Sequence, residues 1–71
     1  MTTIIDAEAL FVSALQPSEL PTIEQVQAAI AAALLTCGGA DGCALRLAAE
    51  FGEHPEVAVA RMQWAIQTLA A

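Results

Sequence analysis

Three breaks punctuate this chain and leave room only for short elements between them. Pro17 and Pro21 form the first, Gly38-Gly39 with Gly42 the second, and Gly52 with Pro55 the third. Proline removes a backbone donor and disfavours the helical conformation in the residue before it. Paired glycines suit a helix end followed by a turn that needs positive φ. Between the breaks apolar residues recur at the 3.6-residue period of a helix, and strand-like alternation is confined to residues 2–5. The pattern predicts one all-α domain over residues 1–71. It has four short helices near 6–16, 22–36, 42–51 and 55–70, in orthogonal or bundle-like packing, with a helical hairpin at 42–70.

Local signals refine each segment. Asp6 suits the N-cap of the first helix, with Ile5 and Leu10 spaced as a hydrophobic staple and Leu10, Phe11, Ala14 and Leu15 on one face. Thr22 and Gln25 form a capping box for the second helix, whose Ile23, Val26, Ile30, Ala33 and Leu34 make a primary apolar face. Ala28, Ala31, Ala32 and Leu35 give that helix a second apolar side, so it is expected to be the packing hub. Asp41 is the expected cap of the third helix, with Ala44, Leu47, Ala48 and Phe51 inward and Gly52 as its stop. In the fourth, Ala58, Val59, Met62, Ala65, Ile66 and Leu69 share one arc, while Val57, Ala60 and Trp64 form a separate stripe that the core does not require.

Composition then bears on partners. Hydrophobic residues make up 58% of 71 positions and charged ones 14%, whereas a chain this short buries only about 60% of the surface it exposes when unfolded. The apolar surplus predicts a partner surface, and the commonest partner is a second copy. The expected interface residues are Ala28, Ala32 and Leu35 on the second helix and Val57, Ala60 and Trp64 on the fourth. The longest apolar run, residues 28–35, falls far short of the roughly 20 residues that span a bilayer. No basic start and long apolar stretch mark an export signal, which makes the cytoplasm the expected compartment. Arg46 and Arg61 are the only cations against eight acids, for a net charge of −6. Too few positive groups exist to neutralise several phosphates, so neither nucleic acid nor an anionic membrane is an expected partner.

Candidate chemistry is sparse. Cys37 and Cys43 bracket the glycine turn, where a disulfide could close it and a helix N-terminus would lower a thiol's pKa, as a redox switch needs. Two free structural thiols are the plainer reading. With His54 they supply three ligands where structural zinc takes four, so no metal and no cofactor is expected. His54 fits the slot before Pro55 as a cap, not as a catalytic base. No catalytic triad or phosphate-cradling loop is visible, and the chain reads as no enzyme. Residues 45–69 share turn chemistry with a DNA-reading helix-turn-helix. However, Glu53 stands where an apolar residue belongs, Arg61 where a core residue belongs, and the second helix carries one cation.

Residues 10–22 (LFVSALQPSELPT) and 42–65 (GCALRLAAEFGEHPEVAVARMQWA) carry a resemblance. Through Glu50-Phe51-Gly52, His54-Pro55-Glu56, Arg61-Met62 and Trp64 the chain resembles small helical proteins of high-GC actinobacteria that have no assigned activity. The resemblance implies a bacterial protein and carries over no functional residue. It also implies more basic relatives, against Gln27, Leu35, Gln63 and Gln67 here. The expected function is a non-enzymatic, self-associating interaction module, most simply a homodimer. A helix-turn-helix transcriptional regulator and a thiol redox switch are the alternatives.

Overall fold

The computed structural model describes residues 4–70 and is built from four helices: α1 (Ile4–Val12), α2 (Ile23–Cys37), α3 (Ala40–Glu53) and α4 (Pro55–Ala70). A single 3-10 turn, Pro17–Glu19, sits in the connector between α1 and α2. No strand occurs among the described residues, so the domain is all-α, as its periodicity dictates.

The hub is α1, not α2 as expected from the apolar circumference of α2. Helices α1 and α3 each pack against all three others, and α1 is the more deeply buried of the two. Ala7, Ala9, Leu10 and Phe11 are buried, so nearly half of α1 is interior, against Val26 and Ala33 alone in α2. The second apolar side of α2, Ala28, Ala31, Ala32 and Leu35, lies in solvent. A helix rich in alanine is cheap to expose, and the larger Leu10 and Phe11 decide the centre. Leu10 is fully buried, worth about 2 kcal/mol of removed apolar surface. It forms one cluster with Val26 and Ala65, and Ala9, Ala33 and Cys43 form a second. Phe11 stacks on Phe51 of α3 with ring centres 5.7 Å apart and planes at 17°.

Helix boundaries show which sequence signals prevail. Thr22 caps α2 as expected: its hydroxyl accepts from the Gln25 amide at 3.2 Å and the Gln25 side chain accepts from the Thr22 amide at 2.8 Å. At the other end Gly38 is left-handed at φ 77°. Gly39 N donates to Leu34 O and Gly38 N to Leu35 O, the paired bonds of a Schellman motif. The first helix begins at Ile4, which places Asp6 within the first turn, not at the cap. It ends at Val12, four residues before the predicted limit. Gln16 is extended ahead of Pro17, and the Ser13 hydroxyl donates to Leu10 O at 2.7 Å, closing the helix early. Helix α3 is capped by Gly39 rather than Asp41 and runs through Gly52 to Glu53. Pro55 makes a glycine stop unnecessary. His54 N donates to Glu50 O at 2.8 Å, and His54 O accepts from Ala58 N at 2.9 Å, so one residue closes α3 and opens α4.

Two backbone details set the geometry of the connectors. A Cβ added at Gly42 would overlap the carbonyl oxygen of Cys37 and lie 2.7 Å from the carbonyl carbon. The first turn of α3 therefore rests directly on the backbone at the end of α2, and the two helices bend by 91°. No single helix among the described residues is long and apolar enough to cross a membrane. Leu20 is the one described non-glycine residue with positive φ, 48°, and it is 86% exposed. A β-carbon in that region costs roughly 1–2 kcal/mol. Leu20→Gly is therefore expected to raise stability by about 1 kcal/mol, read from the urea midpoint; a lower midpoint would show that the leucine makes a contact worth more than its strain.

Candidate interaction surface

The C-terminal end of α1 organises the surface around it. A helix end leaves its last carbonyls without partners, and α1 has no basic residue in its last turn. The donor arrives from α4. Arg61 places Nε 2.6 Å from Phe11 O, and Nη2 lies 2.9 Å from Ser13 O, 2.8 Å from Leu15 O and 3.5 Å from Leu10 O. One planar guanidinium thus serves four carbonyls at the negative end of a helix dipole. Its other neighbour is Trp64, with the ring centre 4.9 Å from the guanidinium carbon. Partial burial holds the Arg61 pKa below its ordinary value, and the carbonyls compensate the charge. The cation on α4 is therefore directed into the protein, unlike a base-reading side chain.

Around this cap lie three grooves that share residues. One of about 570 Å³ is walled by Val57, Ala60, Trp64, Gln16 and Pro17. Through Gln16, Val57 and Arg61 it joins a smaller one of about 260 Å³ that includes Arg46 and Glu50. Through Val12, Ser13 and Arg46 this continues into a third of about 650 Å³ bordered by Ala29, Ala32, Thr36 and Cys37 of α2. The α4 face and, through Ala32 alone, the α2 face thus border residues 12–17 from two sides. Val57 is 66% exposed and Ala60 is exposed. Trp64 is half-buried, because it packs on the Leu10, Val26 and Ala65 cluster and presents only part of its ring to the groove. Ala28 and Leu35 are exposed, Leu35 to 85%, outside the three grooves. A separate, mostly apolar groove of about 500 Å³, absent from the expectations above, runs between Ile4, Ala7, Glu8, Leu47, Phe51, Met62 and Ile66.

The cysteines are both free, Cys37 half-buried and Cys43 1% exposed. Cys43 Sγ lies 3.7 Å from Ala33 O. Its pKa is pushed up to about 11, first by burial, then by a hydrogen bond with Cys37 and the charges of Cys37 and Glu8, against the opposing pull of Arg46. This is the reverse of the lowering expected at a helix N-terminus. Cys43 is the fourth residue of α3 and lies in the core, where desolvation of a thiolate outweighs the dipole. No group of three or more His, Cys, Asp and Glu side chains placed to hold a metal occurs among the described residues, and His54 is exposed at the α3–α4 joint.

Fold and surface together define a small all-α domain with an internal arginine cap and open apolar grooves. Compared with known proteins, the chain matches no family model, no curated protein and no solved structure. The role of Arg61 escaped sequence reasoning, although a signal was present. A helix cut short by Pro17, with neither glycine nor cation at its end, requires a donor from elsewhere, and the chain has only two arginines to offer.

Proposed function

We propose that this protein is a non-enzymatic interaction module that self-associates as a homodimer through the groove face formed by Val57, Ala60 and Trp64 of α4 with Pro17 of the connector. The observation that carries the reading is a large aliphatic side chain, Val57, two-thirds exposed beside an exposed alanine and the uncovered part of the Trp64 ring, whose other part packs on the core. A standard interface buries about 800 Å² per partner, a modest share of the 4638 Å² this chain exposes. With Arg61 held by the α1 carbonyls, the groove floor carries no free cation to desolvate, and Glu56 is its only acid. A two-fold arrangement would set Trp64 and Val57 of each copy against the other, as a closed isologous contact requires. The Ala28, Ala32 and Leu35 side of α2 is a second face for the same role.

The test is the mass in solution. Wild-type protein at tens of micromolar is expected to sediment as a dimer, and Val57→Glu with Ala60→Glu to sediment as a monomer of unchanged helical content. Leu35→Glu, on the other face, is expected to leave the dimer intact. A wild type that stays monomeric at that concentration sinks the reading, and loss of the dimer in Leu35→Glu alone moves the interface to α2.

A further inference from the structure

The groove beside α2 contains a nucleophile that the interaction reading does not use. Cys37 lines its wall, half-buried, alongside Arg46, Ala32 and Thr36. Behind it lies Cys43, packed in the same apolar cluster and nearly sealed from solvent. The two residues are brought together by backbone and not by side-chain reach alone. Gly42 sits against the Cys37 carbonyl, so the two helices are in backbone contact beside the cysteines, and Cys37 packs on the cluster that contains Cys43, with their side chains hydrogen-bonded. We propose that Cys37 and Cys43 form a two-step thiol–disulfide exchange site, in which Cys37 attacks a low-molecular-weight disulfide entering the groove and Cys43 resolves the product.

In the first step the Cys37 thiolate attacks one sulfur of the small disulfide. A bond forms between Cys37 Sγ and that sulfur, the reagent's own S–S bond breaks, and the departing thiolate takes a proton from water. In the second, Cys43 gives its proton to water and attacks Cys37 Sγ. The mixed disulfide breaks, a second small thiol leaves, and Cys37–Cys43 is closed. Two protein thiols are oxidised and one small disulfide is reduced to two thiols. Access sets the order, since only Cys37 borders the groove. The rate of the second step is set by the Cys43 proton, which burial retains up to about pH 11. The other groups acting on that thiol are Cys37 from α2, Glu8 from α1 and Arg46 on its own helix. Burial, the largest cause, persists once Cys37 is capped.

Intact mass over time, with reduced protein and the neutral probe bis(2-hydroxyethyl) disulfide, tests this; a neutral probe avoids repulsion by the net charge of −6. Wild type is expected to pass through a single adduct to a species two hydrogens lighter than the reduced chain. Adduct decay should quicken steadily as the pH rises from 7 to 10, as deprotonation of a thiol that burial holds above its ordinary pKa requires. Cys43→Ala and Cys43→Ser should both stop at the adduct, and Cys37→Ser should react at least tenfold more slowly. Undiminished reaction of Cys37→Ser, or a wild-type adduct that persists at pH 10 without loss of two hydrogens, overturns the proposal. The wild-type time course needs no variant to fold.

Discussion

Replacing Arg61 by methionine is expected to remove about 3 kcal/mol of stability, measured as a fall in the urea midpoint at unchanged slope. Methionine keeps the apolar stem and discards the fork, so the loss reports the capping bonds and not the packing of the side chain. The carbonyls of Leu10, Phe11, Ser13 and Leu15 would lose a charged donor at once, and bonds to charged groups contribute roughly 1.5–3 kcal/mol each without adding independently. Contact with Trp64 adds about 0.5–1 kcal/mol. A domain of this length is stable by roughly 4–10 kcal/mol in all, so the variant should be close to unfolding at physiological temperature. Arg61→Lys should recover less than half, because an ammonium cannot serve four carbonyls from one plane. Arg46→Met, at an exposed position, should stay within about 0.5 kcal/mol of wild type. Equal losses from the two arginine-to-methionine changes would refute the cap.

Gly42→Ala is expected to destabilise by about 3 kcal/mol although it puts a better helix former into a helix. Propensity alone predicts a gain of about 1 kcal/mol. Here the new methyl would collide with the Cys37 carbonyl oxygen, a backbone atom that cannot rotate away, and α2 and α3 would have to part at their 91° joint. Gly52→Ala supplies the control. Gly52 is also inside α3, has ordinary helical φ and nothing within 4 Å of an added Cβ, so the same change there should raise stability by about 0.5–1 kcal/mol. The two alanine variants should differ by roughly 4 kcal/mol in thermal or urea denaturation. A stabilised Gly42→Ala would mean that the helices do not touch there.

The contrast between these glycines also shows what the sequence could reveal. The number and order of the helices, the Thr22–Gln25 box and the left-handed Gly38 are local events, decided within a few residues, and pattern reading finds them, while the limits of α1 and α3 differ from expectation. Gly52 resembled a stop for the same local reasons. Yet Pro55 ends the helix from three residues away, and which of two adjacent signals prevails depends on their competition. The identity of the hub was not legible, because an alanine-rich circumference looks buried in α2 and is not, while α1 is too short to show a clear period. Arg61 as a cap was not legible, and for Cys43 the plainer reading of a free, buried thiol holds while the lowered pKa a redox switch would need does not. Both depend on other helices: Arg61 on the end of α1, and Cys43 on Ala33 of the neighbouring α2 and Ala9 of the more distant α1. For the surface, the exposure of Val57 and Ala60 was visible from their place on α4, whereas Trp64, read as outside the core, packs on the Leu10 cluster with part of its ring. The walls contributed by Gln16 and Pro17 were not visible, since they depend on how the connector is tied down.

Of the four helices α1 is made first and finished last. The group that closes its end lies 46–51 residues further along the chain, and a nine-residue helix has little standing of its own in water. A growing polypeptide that has produced α1, α2 and α3 therefore holds the central helix without its final partner, and Leu10 lacks Ala65 beside it. Until α4 is added, α1 keeps its packing on α2 and α3 but lacks both the fork that closes its end and the side chain that completes the Leu10 cluster.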